Sequence, residues 1–141
     1  MGKKRLATQE GGSRGAGGAS SKSPKRHIES AVLHVDSSYN NTRLTLSDPK
    51  GNVLTWASSG NLGFSGARKG TPFAAAKVGE TVGDRAQTMG VKEVQVIVRG
   101  IGSGRESSIR GFISRGIGIS TIKDMTPVPH NGPRPPRPRR V

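Results

Sequence analysis

Thr71-Pro-Phe-Ala-Ala-Ala-Lys-Val-Gly-Glu-Thr-Val-Gly-Asp-Arg-Ala-Gln-Thr-Met-Gly90, followed by Val91-Lys-Glu-Val-Gln-Val-Ile-Val-Arg99, decides the fold class. Thr71 suits an N-cap and Pro72 the first helical position. Ala75, Val78, Val82, Ala86 and Met89 recur at helical spacing and form one apolar stripe, and Gly90 ends the helix. Gly79 and Gly83 each cost up to ~1 kcal/mol of helix propensity; close packing against a sheet is the expected reason for them. Val94, Val96 and Val98, with Ile97, then read as a buried strand over 91–99.

Upstream, Ala31, Leu33 and Val35 alternate with Val32, His34 and Asp36 across Ser30 to Ser38, the signature of a strand. Tyr39-Asn40-Asn41 reads as a turn, because Asn tolerates left-handed geometry. Thr42 to Asp48 alternates again, with Leu44 and Leu46 inward and Arg43, Thr45 and Ser47 outward. Pro49 to Asn52 is a second turn, and Val53 to Ala57, with Trp56 read as core, a third strand. Downstream, Gly100 to Ser108 is glycine-rich, a second helix is expected from about Glu106 to Arg115, with Phe112 in the core, and Ile117 to Lys123 is the last strand. The order is βββαβαβ. Strand–helix–strand crossovers favour parallel pairing, so the expectation is an α/β fold with a mixed five-stranded sheet and two helices.

The chain has 141 residues and a formal net charge of +14. Residues 1–27 carry +6, residues 28–126 carry +4 and residues 127–141 carry +4. The excess therefore sits at the two ends and points to a polyanionic partner. Three parts are expected: a basic Gly/Ser-rich flexible extension over 1–27, an α/β domain over 28–126, and an extended Pro/Arg-rich arm over 127–141. The first segment buries too little apolar surface to offset its ordering entropy. It lacks the apolar stretch of a secretory signal; its basic, Ser-rich composition is compatible with an organellar transit peptide, against which Glu10 and the lack of amphipathic periodicity weigh mildly, and Leu6 stands where a myristoylation motif wants Ser or Thr. In the arm, Pro127, Pro129, Pro133, Pro135, Pro136 and Pro138 fix φ and remove donors, which denies it helix or sheet. Arg134, Arg137, Arg139 and Arg140 give it guanidinium forks suited to phosphate oxygens. With no cysteine in the chain, disulfides, thiolate catalysis and cysteine-ligated zinc are excluded. No apolar run approaches the ~20 residues of a membrane span.

Two loops carry the sharpest local signal. Gly66-Ala-Arg-Lys-Gly70 and Gly100-Ile-Gly-Ser-Gly-Arg105 each precede a helix with glycines and basic side chains. Neither fits a dinucleotide fingerprint or a Gly-Lys-Ser/Thr phosphate loop. Both expose backbone donors at a helix start, which favours anions. No cofactor is expected. Asp36, Asp48 and Asp124 define the one enzymatic alternative, a Mg²⁺-dependent nuclease, if the three carboxylates meet at strand ends. His27, His34 and His130 share no metal or triad spacing; His34 reads as structural and His130 as a potential RNA contact. Phe64 could stack on a base or pack locally. No aromatic RNA-recognition motif, zinc pattern or heptad is present, so backbone-dominated binding of folded RNA is favoured. A free RNA chaperone or nucleoid protein is the other binding alternative.

Residues 28–141 resemble the bacterial-type small-subunit ribosomal protein S eleven family. The matching stretches are Asn40-Asn41-Thr42, Gly51-Asn52-Val53, Trp56-Ala57, Gly66-Ala-Arg-Lys69, Thr71-Pro-Phe-Ala-Ala75, Gly104-Arg-Glu-Ser107 and Asp124-Met-Thr-Pro-Val-Pro-His-Asn-Gly132. The resemblance implies a ribonuclease-H-like fold without nuclease activity. It implies a place on the platform of the small subunit, against small-subunit rRNA, beside proteins numbered six and eighteen and near the mRNA exit path where the Shine–Dalgarno helix forms. It implies a cytoplasmic setting in the ribosome, with an organellar ribosome as the other possibility. Carried over by position, RNA contacts are expected at Asn40, Asn41, Arg68, Lys69, Arg105, His130, Asn131, Arg134, Arg137, Arg139 and Arg140. Three departures stand out: Ile101 where the family usually has Pro, Pro133 where it has Cys, and Pro138 where it has Lys or Arg. Finally, Asn131-Gly132 is a candidate for succinimide and isoaspartate formation, because Gly132 offers its nitrogen no steric shield.

Overall fold

The computed structural model describes residues 27–140. The extension expected over 1–27 therefore lies outside the described residues, His27 apart. Five strands and two helices follow in the order β1 (Ser30–Ser37), β2 (Thr42–Ser47), β3 (Val53–Ser58), α1 (Pro72–Thr88), β4 (Glu93–Arg99), α2 (Gly104–Ile113) and β5 (Gly118–Asp124). A 3-10 turn at Gly66–Gly70 leads into α1. The expected α/β fold with a mixed sheet is what the chain adopts. Across the sheet the order is β3-β2-β1-β4-β5. β1–β2 and β2–β3 are antiparallel hairpins, whereas β1–β4 and β4–β5 are parallel. The parallel pairs follow from the two helical crossovers, since a parallel partner cannot be reached by a tight turn.

One face of the sheet is buried by the helices. Leu33, Val35, Leu44, Leu46, Val96, Val78, Val82, Ala86 and Phe112 have no solvent exposure. Each large aliphatic or aromatic side chain so buried contributes about 1.5–3 kcal/mol. Thr71 caps α1 as expected: its hydroxyl accepts from the Ala74 amide at 3.3 Å.

Several sequence expectations are corrected. Gly79 and Gly83 face α2, not the sheet. A Cβ at Gly79 would overlap the Ser108 carbonyl oxygen and come within 2.9 Å of the Phe112 nitrogen, and one at Gly83 would press on Arg115 and the Phe112 carbonyl. The glycines therefore set how closely the two helices pack. Arg115 closes this seam through ion pairs with Asp84 at 3.2 Å and Glu80 at 3.5 Å. Trp56 is not core but 49% exposed. Side chains alternate along a strand, and since Ala57 is buried in the core, Trp56 must point to the open face, opposite Thr45. Ser47 keeps its place on the helix-free face, opposite Val32, but is buried there against His34. α2 begins at Gly104, two residues earlier than expected, tucked against Thr42 and Ala75. Phe64 packs edge-on against Phe73, with centroids 6.2 Å apart. His34 is structural as read, with Nε2 3.2 Å from the Ser47 hydroxyl.

Candidate nucleic-acid interface

β1, β4 and β5 run in the same direction and end together. That end collects the Asn40 turn, the two glycine-rich loops and the root of the arm. In open α/β sheets, the crevice outside the carboxyl ends of parallel strands is where ligands bind.

The β1–β2 turn is held by Ser38. Its amide donates to the Asn41 carbonyl at 2.8 Å, and its hydroxyl lies 3.1 Å from both the Asn41 carbonyl and the Asn41 amide. Asn40 is left exposed at the tip and Asn41 half-buried beside it. Asn41 Oδ1 is buried and has no hydrogen-bond partner among the described residues.

The 3-10 turn comes next to it. A Cβ on Gly70 would strike the Tyr39 carbonyl, so only glycine lets the two backbones meet. This contact sets Arg68, exposed, and Lys69, half-buried, beside the Asn40 turn. The β4–α2 loop closes from the other side. The Gly102 amide donates to the Ser37 carbonyl at 2.9 Å, and Gly100 and Gly102 lie against Ser37 and Ser38 too tightly for any side chain. Ser103, at the N-cap of α2, spends its hydroxyl on the Gly70 carbonyl at 2.8 Å instead of on its own helix. Three segments far apart in sequence are thus joined backbone to backbone.

The arm is rooted at the same place. The Met125 amide donates to the Val98 carbonyl at 2.9 Å, and the Gly100 amide donates to the Thr126 hydroxyl at 3.2 Å. Asp124 accepts from the Thr126 hydroxyl at 2.6 Å and pairs with Arg105. The Thr126 hydroxyl and then Arg105 hold the Asp124 carboxyl down at about 2. Arg105 also donates to the Gly100 carbonyl at 2.7 Å. Of the body residues expected on RNA, Arg105 is the one already committed to protein, bracing the loop against the arm root. From Pro127 to Arg140 the chain is exposed and has no helix or strand. It bends once, near His130, where Asn131 has a φ of 58°. His130, Asn131, Arg134, Arg137, Arg139 and Arg140 are all in contact with solvent.

Sequence reasoning missed Tyr39 and Arg99. Tyr39 is 74% exposed at the turn, and Arg99, exposed at the end of β4, forms no ion pair among the described residues. The end-of-strand position of Arg99 was the available signal. The nuclease constellation does not assemble. Asp36 lies at the C-terminal end of β1, paired in register with Arg43, while Asp48 follows Ser47, which sits across from Val32 at the other end of the strand. No group of three His, Cys, Asp or Glu among the described residues is arranged to hold a metal.

The family model for ribosomal protein S11 matches residues 31–140. This chain belongs to the ribosomal protein S11 family. The small ribosomal subunit protein uS11 of Solibacter usitatus is 49% identical over 120 residues, covering 85% of this chain and 89% of that protein. The protein of the same name from Synechococcus elongatus is 50% identical over 117 residues, covering 83% of this chain and 90% of its own length. That of Acaryochloris marina is 49% identical with the same coverage. The S11 family is one of structural ribosomal proteins, not of enzymes. Its match spans the sheet from Ala31 on, both helices and the arm to Arg140, so all the segments converging on the strand ends lie within the family match. Among the described residues no helix is long and apolar enough to cross a membrane.

Proposed function

We propose that this chain is a structural constituent of the small ribosomal subunit that grips small-subunit rRNA with the C-terminal ends of β1, β4 and β5. The observation that carries the reading is the backbone-to-backbone joining of the Asn40 turn, the Arg68–Lys69 turn and the Gly100 loop at the root of the arginine arm. Asn40, Asn41, Arg68 and Lys69 form the body's contact surface. His130, Asn131, Arg134, Arg137, Arg139 and Arg140 reach along neighbouring phosphates. Arg105 contributes by positioning, since its guanidinium holds the loop and the arm in one geometry. The three-part organisation over 1–27, 28–126 and 127–141 serves this role: a fixed body with basic segments at both ends. The same reading puts the chain on the platform of the subunit, beside the proteins numbered six and eighteen, where it helps to shape the mRNA exit cleft.

Sucrose-gradient sedimentation of a lysate in Mg²⁺ buffer tests the function. The chain is expected to run with the small subunit through a moderate salt wash. A chain that stays at the top of the gradient in low salt would overturn the proposal and favour a free RNA chaperone. We also propose slow succinimide formation at Asn131, where the exposed Gly132 amide can reach the side-chain carbonyl. Peptide mapping of aged protein is expected to show isoaspartate there; unmodified Asn131 alone would refute it.

A further inference from the structure

An open cleft of about 470 Å³ lies on the helix-free face of the sheet, between the β1–β2 turn and the β4–α2 loop. That is within the ~300–1,000 Å³ typical of small-ligand sites. Tyr39, Ile101 and Pro127 form its rim, and Asp36, Asn41, Arg43 and Arg99 supply its polar groups. Tyr39 is 74% exposed and Ile101 60% exposed, so both side chains are open to a ligand. Flat or apolar groups of this kind stack on an unpaired base.

The polar groups have a defined sense. In the sheet, Asp36 is in register with Arg43 on one side and Arg99 on the other. Arg43 reaches its carboxylate at 3.5 Å, and Arg99 has no ion-pair partner among the described residues. The cleft therefore has a net positive edge for a phosphate and a carboxylate within it. Asn41 lines the cleft beside them.

We propose that this cleft takes one unstacked, amino-bearing nucleotide of the bound RNA. Its base lies against Tyr39 and Ile101, its amino edge donates to Asp36, and its phosphate meets Arg99. Guanine fits best, since it offers two adjacent donors to one carboxylate, and uracil, with no amino group, fits worst. The inference rests on the RNA-binding function above, deepens it to a single residue of the ligand, and is tested separately from it.

The direct probe is a nuclear magnetic resonance titration of the full chain with guanosine 5′-monophosphate and with uridine 5′-monophosphate. Amide shifts confined to Asp36–Asn41, Arg43 and Arg99–Ile101, stronger for the guanosine nucleotide and lost in Asp36→Asn, are expected. No shift at the cleft, or equal response to both nucleotides, would overturn the proposal even if the chain is a ribosomal constituent. In small subunits carrying Asp36→Asn or Tyr39→Ala, dimethyl sulfate and kethoxal probing should show one rRNA nucleotide about fivefold or more reactive. Lys50→Ala, at the opposite end of the sheet, should leave that nucleotide protected. Unchanged rRNA reactivity with the variant chain retained would contradict the assignment, as would a neighbouring protein segment found in the cleft. Absence of the wild-type chain from small subunits would remove the function and this inference together.

Discussion

The β1–β2 turn at Ser38–Asn41 and the β2–β3 turn at Asp48–Asn52 both close antiparallel hairpins, and both contain asparagine. They lie at opposite ends of the sheet. The second turn satisfies itself. Asp48 accepts from the Asn52 amide at 2.8 Å, the Lys50 amide at 3.1 Å and the Asn52 side chain at 3.1 Å. Those bonds, the Asn52 side chain first, hold its carboxyl below the usual range. The first turn does the reverse. Serine ties its backbone, glycines from two other segments crowd it, and Asn41 Oδ1 is left without a partner. A turn whose polar groups are internally matched needs nothing further. One that is rigidly held keeps a buried polar group that nothing among the described residues matches.

The glycines break the comparison most severely. Gly51 has a φ of 98° with open space around it, whereas Gly100 has a φ of 94° with the Ser37 carbonyl in the way. Gly51→Ala should therefore cost only the left-handed strain, about 1–2 kcal/mol. Gly100→Ala adds a backbone clash and should cost roughly 2–5 kcal/mol, read from denaturant midpoints. Equal losses would mean that the crowding at the first turn has no energetic weight.

Removing residues 134–141 should come next in effect. Each arginine that meets a phosphate contributes roughly 0.7–0.9 to the slope of log affinity against log salt, so the truncated chain should lose about three units of slope. Its melting temperature should match that of the full chain, because the arm is exposed throughout. Exchanging the asparagine and aspartate roles sharpens the contrast further. Asp48→Ala should lower the melting temperature and leave retention on rRNA intact. Asn41→Ala should leave the melting temperature unchanged or slightly raised and weaken retention. The smallest effect is on acidity. The Asp124 carboxyl titrates at about 2 in the fold against 3.8 ordinarily. Its contribution to the arm root is thus complete above about pH 4 and is lost as the pH falls through 2. The Gly100 and Thr126 amide resonances should stay fixed down to about pH 3 and move below it.

Much of this was legible in the sequence, for reasons that particular residues make plain. Alternation at Ala31, Leu33 and Val35 and helical spacing at Val78, Val82 and Ala86 report local periodicity, and the core follows from them. Thr71 and Pro72 mark a helix start by chemistry that does not depend on tertiary context. What the sequence did not show depends on which segment meets which. Gly79 and Gly83 were visible, but not that α2 lies over them. Arg105 was visible as a basic loop residue, but Asp124, which claims it, is nineteen positions away. Trp56 was misread because its size outweighed its place in the alternation. The cleft was invisible, because Asp36, Asn41, Arg99 and Ile101 come together only when β1 and β4 pair.

On the proposed function, RNA meets the strand ends bearing the first turn and not those bearing the second. The chain has no cysteine, so single substitutions Arg68→Cys and Lys50→Cys can each carry a tethered iron probe into assembled small subunits. Strong, localised rRNA cleavage from position 68 and weak cleavage from position 50 is the predicted result. Equal cleavage from both, or stronger cleavage from position 50, would contradict the account.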